Sequence, residues 1–192
     1  GFTGGEPFLN PEFEAILTET LEGGFEALVL TNAMAPLQRP GVKAWLTGLR
    51  DRFGGKLTLR ISLDHYTQAL HDEERGPGAF GKTVEGTDWL ATNGFHIAIA
   101  GRTCWNESRE AAIAGYAALF ARQGWPFNAH LARDLVLFPE MDGSLDVPEL
   151  TPSCWSILKI TPDAMMCAGS RMIVKRKDAP APVVLPCTLL PY

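Results

Sequence analysis

The sequence predicts an α/β fold built on a parallel sheet. Short apolar runs that suit buried strands alternate with longer stretches in which apolar residues recur at helical spacing. Connections of a few residues, rich in Gly, Asn and Asp, separate the two kinds of segment. This alternation is typical of repeated βαβ units, in which each helix leads from one parallel strand to the next.

The first part of the pattern contains two helices and two strands. Asn10 and Pro11 suit the N-cap and the first position of the first helix, and pairs of glycines end both helices. We predict helices over Pro11–Leu21 and Val42–Phe53, and strands over Phe25–Leu30 and Lys56–Leu63.

The pattern then continues with two more helices and two more strands. Tyr66–Pro77 is polar and predicts a loop, and Ser108 suits the N-cap of the last helix. We predict helices over Phe80–Leu90 and from Ser108 to Phe120, and strands over Phe95–Ala100 and Leu135–Phe138.

After about residue 145 the alternation stops, because prolines interrupt the chain. Two short apolar runs, Met172–Val174 and Val183–Leu185, flank a polar turn and predict a β-hairpin. We therefore expect a first domain over 1–145 and the start of a smaller unit over 146–192.

Composition excludes several classes of protein. A net charge of −5 gives no electrostatic reason to expect a nucleic-acid partner. No apolar run approaches the roughly 18 residues of a membrane span, and no signal peptide is evident. The four cysteines are dispersed, which argues against a secreted disulfide framework and favours a reducing, cytoplasmic location. The chain starts without Met and stops without a closing element, so we expect a fragment.

Polar residues stand at the ends of three of the predicted strands. These are Thr31-Asn32, Ser62 to Asp64, and Arg102-Thr103. In parallel α/β folds ligands bind at the carboxyl ends of the strands. The turn Gly4–Pro7, which places an acid beside exposed backbone, is expected at the same edge. The sequence thus predicts one pocket for a small charged ligand.

Three segments of the chain resemble the motifs of the radical SAM enzymes. Thr3–Pro7 matches that family's GGEP turn, and Ser62-Leu63-Asp64 matches its Ser-x-Asp at the end of a strand. His71–Phe80 resembles the HD-x-x-RG-x-G-x-F run of its peptide- and protein-modifying branches. The resemblance covers roughly residues 1–140, and the order and spacing of the motifs are specific.

The resemblance implies an incomplete parallel (β/α) barrel with a SAM site. In that site Ser62 and Arg75 hold the SAM carboxylate, a role that the guanidinium of arginine suits. The residues implied to bind the cofactor are Gly4, Gly5, Glu6 and Pro7 for the amino group, Thr31 and Asn32 beside them, Ser62 and Arg75 for the carboxylate, and Asp64 and Thr103 on the ribose or substrate side.

The implied activity is reductive cleavage of S-adenosylmethionine by a 4Fe–4S cluster. The resulting 5′-deoxyadenosyl radical abstracts a hydrogen from a substrate, which is a peptide, a protein or a small molecule, and an electron donor is required. The family's CxxxCxxC loop is absent from this sequence. We therefore expect the isolated chain to be inactive, with the ligands of that cluster outside it.

The tail resembles the opening of a SPASM-type segment, which carries an auxiliary Fe–S cluster. Cys167 precedes the predicted hairpin and Cys187 follows it, as in that module. By this resemblance both would be cluster ligands, and Cys154 is a weaker candidate. The alternative is that these are free cysteines in apolar surroundings.

Two other functions fit the same sequence. One is a barrel that binds SAM or another small ligand without redox chemistry. The other is an ordinary barrel enzyme that uses Glu6 and Asp64 for acid–base work. His71 and Asp72 suit either an acid–base pair or a turn or helix start, and the second interpretation is favoured. His65 and Glu140 are further candidates at the rim of the predicted pocket.

Overall fold

The computed structural model describes residues 1–140, 144, 151–176 and 178–185, except for the side chains of residues 166 and 167. The chain divides into two units, Gly1–Met141 and Asp142–Tyr192. The first carries a four-stranded parallel sheet, and the second a two-stranded antiparallel sheet. The predicted α/β class with a parallel sheet is confirmed.

The parallel sheet follows chain order. Its strands are β1 (Ala27–Thr31), β2 (Leu57–Ser62), β3 (His96–Thr103) and β4 (Leu135–Pro139), arranged β1-β2-β3-β4. Phe2 adds a parallel bridge beside β1, since its N–H donates to the carbonyl of Leu28 at 2.8 Å and its carbonyl accepts from Leu30 at 2.9 Å. Every crossover therefore advances in the same direction, without the reversal of order that marks a doubly wound sheet.

Helices occupy the crossovers between these strands. Three of them end at glycines with positive φ, Gly54 after α3, Gly76 after α4 and Gly124 after α6, as helix C-termini commonly do. The helices of the first unit are α1 (Phe13–Glu22), α2 (Ala35–Gln38), α3 (Pro40–Phe53), α4 (Gln68–Arg75), α5 (Ala79–Thr92) and α6 (Arg109–Gln123), with 3-10 turns at Pro7–Leu9 and Gly54–Lys56.

Burial alternates along β2 and defines the two faces of the sheet. Leu57, Leu59 and Ile61 are at most 2% exposed and belong to the core beneath the helices, whereas the residues between them are half-buried. One face of the sheet is thus closed by packing and the other is partly open. The core owes its stability to burial of such aliphatic side chains, each worth roughly 1.5–3 kcal/mol.

Two predictions of local structure were wrong. The segment taken as a polar loop, Tyr66–Pro77, contains α4, in which His71 is the only buried residue and no apolar stripe marks a helix. The first helix begins at Phe13 rather than Pro11, and Asn10 accepts a hydrogen bond from the N–H of Glu12 at 3.0 Å. Asn10 thus stabilises the turn before the helix. Ser108 caps α6 as predicted, accepting from the N–H of Ala111.

The second unit contains the predicted hairpin. Strands β5 (Met172–Val174) and β6 (Val183–Leu185) pair antiparallel with Ile173 opposite Val184. Before them come α7 (Ser153–Leu158), a 3-10 turn (Pro162–Ala164) and α8 (Met166–Gly169). Cys187 and the side chain of Cys167 lie outside the described residues, so their proposed ligand roles stay predictions.

Within the described ranges, no helix has both the length and the apolar character needed to cross a bilayer.

Gly86 lets α5 approach the end of β1. A Cβ atom at this position would lie 1.9 Å from the carbonyl oxygen of Ala33, which is fully buried and adopts φ 56°. The carbonyl oxygen of Asn32 accepts from Thr83 Oγ1 on the same helix at 3.0 Å. The backbone turn after β1 is therefore held against α5 at close range.

We predict that Gly86→Ala destabilises the protein by about 3 kcal/mol, because backbone must move to admit the methyl group. The matched control is Gly81→Ala in the same helix, where a Cβ meets nothing within 4 Å. Alanine is the better helix former, so the control should gain up to about 1 kcal/mol. Urea unfolding measures both, and equal stability of the two variants would contradict the close approach.

Candidate functional site

A polar pocket of about 250 Å³ lies at the carboxyl ends of β1 and β2. The predicted site residues that it brings together are Gly4, Gly5, Glu6, Thr31, Asn32, Ser62 and Arg75, and Thr3 and Leu30 complete its lining. Pro7, Asp64 and Thr103, also predicted for this site, do not line it. Sequence reasoning did not identify Leu30 as a lining residue. Leu30 immediately precedes Thr31 in β1, so the two side chains lie on opposite faces of the sheet.

The turn on one side of the pocket depends on its two glycines. Gly4 has φ 92° and Gly5 has φ 52°, values that disfavour residues with a Cβ atom. Pro7 follows as the first residue of a 3-10 turn and is buried. Glycine thus exposes the backbone amides and carbonyls of the turn to the pocket, while proline fixes the exit of the turn.

Glu6 joins this turn to the end of β1. Its Oε1 accepts from Thr31 Oγ1 at 2.8 Å and from the N–H of Phe8 at 3.3 Å, and its Oε2 accepts from the N–H of Asn32 at 2.9 Å. A carboxylate has about four acceptor positions, so one on Oε2 is left by these three bonds. Glu6 fixes the turn and still offers an acceptor.

The backbone after β1 is itself closed by side-chain hydrogen bonds. Thr31, 2% exposed, accepts from the N–H of Ala33 through Oγ1 at 3.1 Å. Asn32 Oδ1 accepts from the N–H of Met34 at 2.8 Å, and Gln38 donates to the carbonyl of Ala33 at 3.0 Å. These bonds give the pocket wall a fixed geometry before any ligand arrives.

Arg75, the last residue of α4, is held by Asp64. Its Nε donates to Asp64 Oδ2 at 2.5 Å and its Nη2 donates to Oδ1 at 2.9 Å. Asp64 is 5% exposed, whereas the Arg75 side chain keeps 29% of its surface accessible. Arg75 Nη1 has no hydrogen bond to any described residue. The carboxylate thus orients the guanidinium and leaves Nη1 as the donor available at the pocket.

The run His71–Phe80 builds the support for this pair. His71 is fully buried, and its Nδ1 accepts from the N–H of Asp64 at 3.1 Å. Asp72 accepts from the N–H groups of Gly78 at 2.9 Å and Phe80 at 2.7 Å, so it caps the start of α5. Asp72 thus serves a helix start, as the favoured interpretation expected, whereas His71 is buried inside α4 rather than placed at a turn or helix start. The hydrogen bonds from these two backbone N–H groups lower the pKa of Asp72.

At the rim, Arg102 bridges Glu74 and Glu140. The backbone N–H of Arg102 also donates to the carbonyl of Asp64 at 2.9 Å. Thr103 pairs with Pro139 at the end of β3 and lies outside the pocket lining. The rim residue Glu140 is therefore engaged in an ion pair, and a role for Thr103 stays a prediction.

His65 is 3% exposed and turned into a cluster of its own. Its Nδ1 accepts from the N–H of Thr67 at 3.0 Å, its Nε2 lies 3.5 Å from Glu107 Oε2, and its ring stacks on Tyr66 at 4.1 Å. Burial lowers the pKa of His65, against the opposing effect of Glu107. The hydrogen bond to Glu107 raises the pKa of Tyr66 to about 12. The cluster packs the loop after β3 and does not line the pocket.

A larger cavity of about 420 Å³ lies elsewhere, between the 3-10 turn Pro7–Leu9 and the start of α3. Its lining includes Phe8, Phe13 and Val42, with Arg39 as a cation. Arg39 already donates to the carbonyls of Phe8 and Pro36. The smaller pocket is the stronger candidate because ligands bind at the carboxyl ends of parallel strands.

Among the described residues, no group of three or more His, Cys, Asp or Glu side chains could hold a metal ion. Cys104 and Cys154 are free thiols, and burial raises the pKa of Cys104. A thiol with a raised pKa is less often the thiolate that metals require.

No protein-family model matches the chain, and no curated protein matches it.

We predict that stability falls as the pH is lowered below 6.5. Burial lowers the pKa of His71 from its ordinary value of 6.5, against the opposing charge of Asp64. Between 6.5 and the lowered value the unfolded chain takes up a proton that the folded chain does not, so stability falls with pH across this window. Thermal unfolding across pH 4–8 measures the effect.

His71→Asn is the matched variant, since Asn Oδ1 occupies the position of Nδ1 and accepts the same bond without titrating. The variant should show a weaker pH dependence, with the residual part assigned to His65. His71→Leu, which removes the acceptor, should be the least stable at neutral pH. An unchanged pH dependence in His71→Asn would contradict the assignment.

Proposed function

We propose that this chain is the SAM-binding part of a radical SAM enzyme, with its parallel sheet forming part of a barrel. The observation that carries the proposal is the pocket, in which seven residues named by the family resemblance meet at two strand ends. These residues come from the turn Gly4–Pro7, the ends of β1 and β2, and α4. A single pocket shared by separate motifs supports a common ligand.

The donors and acceptors of the pocket suit an aminocarboxylate. The remaining acceptor position on Glu6 and the backbone of the Gly4-Gly5 turn fit an ammonium group. Arg75 Nη1 and the Ser62 hydroxyl, for which the described residues provide no partner, fit a carboxylate. The volume of about 250 Å³ accommodates the amino-acid portion of SAM. The residues present therefore fit this part of the cofactor.

The residues present do not supply the Fe–S cluster, since the described part of the chain offers no metal-ligand group. A reduced 4Fe–4S cluster would supply the electron that cleaves SAM to a 5′-deoxyadenosyl radical. The share of this chain is to bind and orient the amino and carboxylate groups. Asp64 contributes by holding Arg75 in one geometry.

The acid–base alternative has less support. Glu6 accepts three hydrogen bonds, and Asp64 is buried in its pair with Arg75. A general base must reach the proton that it removes. Asp64 does not line the pocket, and Glu6 keeps only one acceptor position there. A binding protein without redox chemistry would use the same pocket, so it is separated from the main proposal by experiment.

The test uses the complete product of the gene, reconstituted with iron and sulfide without oxygen. We expect SAM to bind, and we expect 5′-deoxyadenosine after reduction. Arg75→Lys keeps the charge but loses the bidentate geometry, and should weaken SAM binding about tenfold or more. Ser62→Ala should weaken it about fivefold. Arg122→Lys, an exposed position on α6, is the control and should bind as the wild type does.

Three outcomes are informative. Binding together with 5′-deoxyadenosine supports the proposal. Binding that depends on Arg75 without a cluster or product would favour the non-redox alternative. The absence of both binding and product would overturn the assignment of this pocket to SAM.

A further inference from the structure

Arg60 is a cation in the middle of the partly open face of the sheet. It lies on β2 between the buried residues Leu59 and Ile61, on the same face as Thr58 and Ser62. Ser62 lines the pocket at the strand end. Arg60 is two residues further from that end, about 7 Å along the strand. It therefore lies directly below the pocket.

The neighbours of Arg60 on the sheet offer it no counter-charge. The register places Leu30 of β1 on one side and Ala98 of β3 on the other. Along its own strand, the nearest side chains on this face are the hydroxyls of Thr58 and Ser62. A guanidinium between an aliphatic residue and an alanine is partly desolvated, which strengthens its attraction to an anion.

The other arginines at this end of the sheet are paired. Arg75 is held by Asp64, and Arg102 by Glu74 and Glu140. Arg60 has no hydrogen bond or ion pair to any described residue, and its Nε is buried without a partner. Its side chain as a whole is half-buried, so the terminal nitrogens stay accessible. A buried N–H without a hydrogen-bond partner is costly, and an anion that reaches the guanidinium would provide that partner.

We propose that Arg60 binds a carboxylate of a small ligand that enters this face of the sheet beside Ser62. The two terminal nitrogens of a guanidinium match the two oxygens of a carboxylate. One arginine balances the single charge of a carboxylate. A phosphate, with its greater charge, is usually met by several donors or by a helix N-terminus. The site is distinct from the aminocarboxylate site at Arg75, and its test does not use SAM.

The experiment follows the Nε–H signal of Arg60 by NMR in the whole chain, with the signal assigned from its loss in Arg60→Lys. The probes are acetate, uncharged acetamide and inorganic phosphate at one ionic strength. We expect acetate to shift the Arg60 signal with a midpoint on the order of 10 mM, the range of two charge-assisted hydrogen bonds. Acetamide should leave it in place, and phosphate should bind no more tightly than acetate.

Matched variants identify the site. Arg133, 80% exposed beside Asp134, is the internal control, and its signal should not saturate. Arg75→Lys should leave the Arg60 response intact, which separates this site from the proposed SAM site. Acetate that binds Arg60 should also stabilise the wild-type fold. This stabilisation should disappear in Arg60→Gln, and Arg60→Lys should retain only a weak part of it.

Three results would overturn the proposal. If acetate does not shift the Arg60 signal and Arg60→Gln loses stability, a carboxylate within the protein pairs with Arg60. Loss of the response in Arg75→Lys would assign acetate to the pocket beside Arg75. Tighter binding of phosphate would assign the site to a different anion.

Discussion

The pair formed by Asp64 and Arg75 is the interaction on which the candidate site depends. Asp64 is held on three sides: His71 accepts from its N–H, Arg102 donates to its carbonyl, and Arg75 donates to its carboxylate through two nitrogens. Because Asp64 lies two residues after the end of β2, this pair ties the end of α4 to the end of that strand. Asp64 is buried, so removal of Arg75 would leave a buried carboxylate without its partner, which is costly. The pair thus serves the fold and the pocket together.

Most of the fold was predictable because its signals are local. Continuous or alternating apolar runs predicted all four parallel strands, and the predicted strand Lys56–Leu63 contains the observed Leu57–Ser62. Helix α4 was not predictable, because its stability comes from tertiary contacts. Its residues are mostly polar, and it is held by the contacts of His71, Asp72 and Arg75. No periodicity in the sequence reveals such contacts.

The residues that line the site were more predictable than the hydrogen bonds and ion pairs that join them. Strand-end position and family resemblance identified Glu6, Ser62 and Arg75, and all three line one pocket. That Glu6 binds the end of β1, and that Asp64 pairs with Arg75 without lining the pocket itself, depends on the relative placement of distant segments. Arg60 is a similar case, since only the register of three strands shows that its neighbours carry no charge.

A crystal structure of the chain with SAM tests the central claim most directly. The account predicts one carboxylate oxygen of SAM within about 3 Å of both an Arg75 nitrogen and Ser62 Oγ, while Arg75 keeps both hydrogen bonds to Asp64. A SAM aminocarboxylate bound away from the Gly4–Pro7 turn would contradict the account. So would an Arg75 that leaves Asp64 to reach the ligand, because Asp64 would then not position it.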